Sequence, residues 1–133
     1  MRLALGCDRE GYTRHDDLHN LPFEDNSCTH IVADKCLQRV KPWEIFQVMD
    51  DIWRIMQDKC EMEIITPYGD AFRFDPSNCI HFIAPAWWHF DPSKNFYQIH
   101  RPKPWKLMRG EDNDKFMELK VILRKLKETE NGN

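Results

Sequence analysis

Asp17-Leu18-His19-Asn20-Leu21-Pro22-Phe23-Glu24-Asp25-Asn26-Ser27 is a polar, turn-forming stretch whose main apolar cluster is Leu21-Pro22-Phe23. It runs directly into Cys28-Thr29-His30-Ile31-Val32-Ala33, which is apolar and β-branched and reads as a buried strand. Upstream, Arg2–Gly6 is a second short strand that stops at glycine. Downstream, the spacing of Ile45, Val48, Met49, Ile52 and Met56 predicts a helix over residues 42–57, with Pro42 at its first position. Asp50, Asp51 and Arg54 lie off that apolar face. Glu61–Thr66 follows as a third strand and ends at the turn Pro67-Tyr68-Gly69.

The second half of the chain reads differently. Residues 70–92 are loop-like yet carry Phe72, Phe74, Phe82, Trp87, Trp88 and Phe90, as a segment folded over the core would. Pro102 and Pro104 predict extended chain over 96–108. Residues 116–125 fit both a strand and a helix; we take the strand, in a hairpin across a turn at 110–114. The expected fold is α/β, a minimal Rossmann-like arrangement with a mainly parallel sheet and an antiparallel C-terminal hairpin. Residues 1–127 are expected to form one domain, and 128–133 a polar tail that frays.

Composition narrows the class. The chain has 133 residues, 41% hydrophobic and 31% charged, which is ordinary for a globular domain. No apolar run approaches the roughly 18 residues that span a bilayer, and the start is too short in apolar residues for a secretory signal. Five irregularly spaced cysteines fit free thiols in a reducing compartment, so the expected location is the cytoplasm. The net charge of −3 gives no global field toward nucleic acid or membrane. Locally, residues 8–25 are acid-rich, whereas 92–110 hold Lys94, Arg101, Lys103, Lys106 and Arg109 and no acid.

Three stretches carry a resemblance. Leu3-Ala4-Leu5-Gly6-Cys7 is similar to a glycine motif at the end of a first strand, and Asp17-Leu18 through Asn26-Ser27 to an "Asp-Leu…Leu-Pro-Phe…Asp-Asn-Ser" motif. Arg54-Ile55-Met56, Met62-Glu63-Ile64 and Pro67 form the third, and Asp75-Pro76-Ser77-Asn78 and Trp88-His89-Phe90-Asp91-Pro92 follow the same pattern. Together they resemble the short class I S-adenosylmethionine-dependent methyltransferases of bacteria and phages, of the type 11 kind. Gly11–Asp16 resembles that family's second strand. The chain departs from it in several places. Gly6-Cys7-Asp8 stands where the family has Gly-Cys-Gly, about ten residues before Asp17 replace a helix, a second strand and another connection, and Lys35, Gln38 and Arg39 replace a His-x-x-Glu-His pattern. Lys59-Cys60 stands in place of a glycine pair, and Asn78 in place of a loop histidine.

The resemblance implies S-adenosylmethionine as cofactor, held by Gly6, Cys7, Asp8, Asp16, Asp17, Leu21 and Phe23. It places Asp34 and Lys35 toward the methyl acceptor, as the catalytic candidates, and gives Asp75, Trp87, Trp88 and His89 to substrate binding. Either Asp16 or Asp17 would meet the ribose, Leu21–Phe23 would flank the adenine, and residues 70–92 would close over the crevice. The acceptor would be a small molecule or a nucleic acid. The alternative is a catalytically inactive interaction module on the same fold, phage-encoded in that reading. The physical sense is general. A strand ending in glycine lets backbone approach a ligand closely, and a carboxylate at the next strand end accepts ribose hydroxyls. Methyl transfer from a reactive sulfonium asks the protein mainly for proximity and alignment.

Plainer readings stand beside these. Asp16 serves equally as a turn residue and Asp8 as a cap. Cys28/His30 and Cys79/His81 are each two apart and could share one strand face, but lack the paired spacing of zinc sites, so no metal is expected. At least one of Trp87 and Trp88 should pack in the core. The stretch 94–109, with Phe96, Tyr97 and Trp105, either tracks a nucleic-acid backbone or is a solvated edge hairpin. One sheet face should be thinly covered, which predicts self-association through exposed apolar surface such as Trp43, Trp53 or the aromatics of 70–92.

Overall fold

The computed structural model describes residues 1–128; the expected tail lies outside them from residue 129 onward. Four parallel strands form the body of the sheet: β1 (Arg2–Leu5), β2 (Thr13–His15), β3 (Cys28–Asp34) and β4 (Met56–Pro67). β5 (Trp105–Asn113) and β6 (Glu118–Lys125) form an antiparallel hairpin, and β6 also pairs antiparallel with β4. The order across the six-stranded sheet is β2-β1-β3-β4-β6-β5. This is the α/β, mostly parallel arrangement expected.

Alternation decides which face is the core. Leu3, Leu5, Ile31, Ala33, Met62, Ile64, Leu119, Val121 and Leu123 point to one side and are buried together. Helix α1 (Ile45–Ile55) lays Val48, Met49, Ile52 and Ile55 into the same core. The opposite face carries charged residues from β4 and β6. There Glu61, Glu63, Lys120 and Arg124 pair across strands: Arg124–Glu61 at 3.1 Å, Lys120–Glu63 at 2.9 Å and Arg9–Glu63 at 2.8 Å. The expected apolar exposure is not on this face. Ala4 and Val32 here are fully buried, and the ion pairs with Arg9 and Lys120 leave Glu63 largely covered.

Only residues 6–12 connect the parallel strands β1 and β2, where a crossover ordinarily takes a dozen residues or more. The short return is possible because β2 has only three residues. Its cover is Tyr12, whose hydroxyl meets His30 Nδ1 at 2.8 Å and whose ring lies under the guanidinium groups of Arg2 and Arg9. Gly11 turns the chain at φ +82°, with the Arg2 guanidinium 3.1 Å from where a Cβ would stand.

The helix is shorter than the periodicity predicts. Pro42 lies in the turn before it, and Met56 and Gln57 belong to β4. Met56 is already extended (ψ 145°), so α1 passes into β4 without a loop. The slack is taken up by a bulge: Met56 pairs with Cys28, the next registered pair is Glu61 with His30, and Lys59 between them adopts φ +65°. Lys125, on the core side of β6, reaches this junction. Its Nζ donates to the Met56 carbonyl at 2.6 Å and to Asn26 Oδ1 at 3.0 Å, 4.0 Å from the Trp53 ring centre. At the same edge the Met1 amine donates to the Ser27 carbonyl.

Residues 70–92 pack as expected of a core-covering segment, through Phe82, Trp87 and Phe90, with helical turns at α2 (Asp70–Arg73) and at Ala84–Phe90. The predicted extended chain over 96–108 begins instead with a helical turn, α3 (Tyr97–His100), because Pro102 and Pro104 restrict only the backbone beyond that turn. The hairpin forms, with its turn at residues 114–117 and Met117 at φ +51°, several residues beyond the expected turn.

Candidate functional site

β1, β2 and β3 end side by side at Leu5, His15 and Asp34. Beyond their ends lies a cleft of about 380 Å³, lined by Gly6, Arg14, Asp16, Asp17, Leu18, His19, Cys36, Arg39 and Val40. It lies at the strand-end position where α/β sheets take ligands. Three of the sequence-derived residues, Gly6, Asp16 and Asp17, come together there.

Gly6 needs its lack of a side chain for two reasons. Its φ is +69°, and a Cβ would stand 2.8 Å from the Cβ of Cys36. The close approach at this glycine is thus taken by the chain itself. Cys36 donates its thiol to the Leu5 carbonyl at 3.4 Å, and burial pushes that thiol up to about 12. Arg14 bridges two of the expected ligands, meeting Asp16 at 2.8 Å and Asp8 at 3.0 Å. Asp17 accepts the His19 backbone N–H at 3.0 Å, a turn role. His15 Nε2 lies 2.9 Å from the Asp17 carbonyl and 2.6 Å from the Asn20 carbonyl, so that nitrogen carries the proton and donates.

Leu21 and Phe23 sit behind the cleft. Leu21 is buried in the core, and Phe23 packs edge-on against His15 with ring centres 5.3 Å apart. Their backbone is held by Arg54, which donates to the Leu21 carbonyl at 2.9 Å, the Phe23 carbonyl at 2.7 Å and Asp25 at 2.9 Å. Neither Leu21 nor Phe23, expected to flank a ligand, is among the residues that line the cleft.

Asp34 and Lys35 also lie off the cleft lining. By alternation Asp34 shares the face of Ala4 and Val32. Its Oδ1 is buried with no hydrogen-bond partner among the described residues, and burial raises its pKa. The Cys7 thiol adjoins it and is raised chiefly by burial too. Lys35, at φ +57°, extends to Glu118 on β6 at 2.8 Å.

The substrate candidates separate. Trp87 is fully buried and stacks on Phe82 at 4.7 Å, so it is a core residue and has no surface for a ligand. Trp88 is exposed and His89 half-buried. Asp75 caps its own turn, accepting from the Ser77 N–H at 2.9 Å and hydroxyl at 2.6 Å, and its second oxygen lies 3.8 Å from Arg39 on the cleft rim. Cys79 and Ile80 donate their N–H groups to the Gln38 carbonyl, which docks the 70–92 segment beside that rim.

His30 is engaged by Tyr12, and His81 Nε2 accepts the Gly69 N–H at 3.0 Å. Among the described residues, no three His, Cys, Asp or Glu side chains gather as a metal-holding group. Sequence reasoning missed Arg14, Cys36 and Arg39 as cleft residues. Arg14 carried a signal, since it stands on β2 two residues before Asp16, and Arg39 stood at a position where the chain departs from the family pattern.

No family model matches the chain, and no curated protein matches it. Its likeness is to solved structures. An S-adenosylmethionine-dependent methyltransferase from Archaeoglobus fulgidus superposes with a TM-score of 0.62 at 9% identity, over 93% of this chain and 85% of that one. The complex between the Haloferax volcanii Trm112 methyltransferase activator and a methyltransferase gives 0.63 at 10% identity, over 91% of this chain and 65% of its counterpart. The Burkholderia thailandensis 1,6-didemethyltoxoflavin-N1-methyltransferase, solved with S-adenosylhomocysteine, gives 0.54 at 10% identity, over 77% and 46%. The fold is therefore that of the Rossmann-like methyltransferases, in a shorter chain spanning from under half to most of the length of these three. Among the described residues, no helix is long and apolar enough to cross a membrane.

Proposed function

We propose that this chain is a minimal S-adenosylmethionine-dependent methyltransferase that takes its cofactor in the cleft beyond β1 and β2. The observation that carries the reading is the meeting of Gly6, Asp16 and Asp17 at the carboxyl edge of a methyltransferase-type sheet, around a cleft of ligand size. The residues present fit a nucleoside: Asp16 is exposed, and only one of its oxygens is engaged, by Arg14. Asp16 holds the ribose hydroxyls, Asp17 shapes the adjoining turn, and Leu18 and Val40 supply apolar wall. The bound cofactor supplies the activated methyl group. Asp34, at the carboxyl end of β3 with its Oδ1 unpartnered among the described residues, is the chain's candidate to receive an acceptor proton. The acceptor is a small molecule or a nucleic acid.

A second reading, an interaction module without catalysis, draws on Cys36 standing against Gly6 and Arg14 closing over Asp8 and Asp16. Calorimetry with S-adenosylmethionine and S-adenosylhomocysteine separates the two. Affinity on the order of 10⁻⁵ M or tighter, lost at least about tenfold in Asp16→Ala, supports the enzyme. No heat at about 10⁻³ M ligand with the fold intact supports the module.

A further inference from the structure

Five rings form a continuous ladder where α1 meets the 84–100 segment. Phe46 on α1 lies 4.2 Å from His100, and His100 lies 5.6 Å from His89. His89 stacks on Phe96 at 5.3 Å, and Phe96 on Trp88 at 5.8 Å. The inner end is anchored in the core through Phe90, 5.3 Å from Phe46. The outer end is open: Trp88 is 37% and Phe96 42% exposed. Lys94 places its ammonium over Trp88 at 5.9 Å. Three residues before Phe46, Trp43 is 78% exposed and has Lys41 over its ring at 5.6 Å.

The charge along residues 85–109 is nearly all of one sign, and of the acids beside the ladder Glu44 lies 3.4 Å from His19 and Asp50 accepts the Lys103 N–H. Between Pro85 and Arg109 the single acid is Asp91, which is buried and saturated by the Ser93 N–H and hydroxyl and the Leu107 N–H. Lys41, Lys94 and Arg101 have no carboxylate partner among the described residues. Rings with open faces call for flat, stackable groups, and unpaired cations call for anions. In a single-stranded nucleic acid the two alternate along one chain, and its base faces are free as a duplex's are not.

We propose that the ladder is a docking surface for single-stranded nucleic acid, with bases on Trp88, Phe96 and Trp43 and phosphates on Lys94, Lys41 and Arg101. A base that takes an indole face displaces the lysine above it, and the freed ammonium meets the neighbouring phosphate. The surface does not depend on the cofactor reading, and its test contains no cofactor.

The test is titration of the whole chain with an oligothymidylate strand and with the same strand in a duplex, read by tryptophan fluorescence and by anisotropy of the labelled strand. The expected result is saturable quenching by the single strand, weaker binding of the duplex, and a log–log salt slope of about −1 to −2. Trp88→Ala should weaken binding about five- to tenfold. Lys94→Glu, an exposed change that leaves the core untouched, should weaken it and flatten the salt slope. Three results overturn the proposal: no binding at roughly 10⁻⁴ M strand, binding unchanged in both variants, or equal binding of the duplex. A concentration-dependent dimer that Trp88→Ala returns to monomer also overturns it, assigning the ladder to self-association.

Discussion

Gly6 and Cys36 close the carboxyl edge of β1 against the turn after β3, so tightly that a Cβ on Gly6 would fall 2.8 Å from that of Cys36. Gly6→Ala therefore meets two penalties, the positive φ and the contact, and should lower stability by about 1–3 kcal/mol in urea unfolding. Cys36→Gly in the same chain should recover only the contact part. Full recovery would show that the backbone at residue 6 is unstrained.

Arg54 is the clasp of the Leu21–Asp25 loop. Its guanidinium serves two carbonyls and two carboxylates, those of Asp25 and Asp51. Arg54→Ala should cost about 2 kcal/mol, and Arg54→Lys should recover little, because a point ammonium cannot reach this fan of acceptors. Equal stability of the Lys variant and the native chain in denaturant titration would refute the geometric argument.

Periodicity made the strands and α1 legible, since Leu3/Leu5, Ile31/Ala33 and Val48/Ile52 each report a buried face. It also pointed, unread, to Lys125: Leu119, Val121 and Leu123 alternate inward, and Lys125 is the next position in that series. Arg54 was visible as a residue off the apolar face of its helix and as part of the third resembling stretch, but not as a clasp. Its partners are carbonyls more than thirty positions away in the case of Phe23 and Leu21, which carry no side-chain signal. In the cleft, Gly6, Asp16 and Asp17 were legible because strand ends and turn residues are local. Cys36 and Arg39 were not, because they arrive from the far side of β3. Trp87 and Trp88 were told apart only by the helical turn that Pro85 opens.

Lys125 leads to a third expectation. It is almost wholly buried and satisfies the Met56 carbonyl and Asn26 at the loop-free passage from α1 to β4. Lys125→Ala should destabilise by about 2–4 kcal/mol. Lys125→Met, which keeps the stem against Trp53, should recover part of that but leave the carbonyl unserved. A neutral Ala variant in thermal unfolding would mean that water replaces the ammonium.

Two carboxylates on neighbouring strands, Asp34 at the end of β3 and Glu63 within β4, should respond to pH with opposite signs. Asp34 is raised by burial, so its contribution to stability is full below the ordinary aspartate range and lost as pH rises through its raised value. Asp34→Asn should thus melt higher than the native chain near neutrality, with the gain vanishing at about pH 3.5. Burial opposes ionisation of Glu63, but hydrogen bonds from Lys120 and Arg9 prevail and hold it below the usual range. Its contribution is present above the ordinary glutamate range and lost as pH falls through the lowered value. Glu63→Gln should melt lower near neutrality and converge with the native chain in acid. Parallel curves for either pair would remove that assignment.

Met1 is tied to Ser27 and Lys125 to Asn26, adjacent residues at the amino-terminal edge of β3. Both ends of the described chain therefore emerge together, across the length of the sheet from the cleft. A tether, a fused domain or a solid support attached at either point leaves the cleft facing away from it. A short linker joining the two points would give a closed ring whose new ends could be opened elsewhere, at the 114–117 hairpin turn.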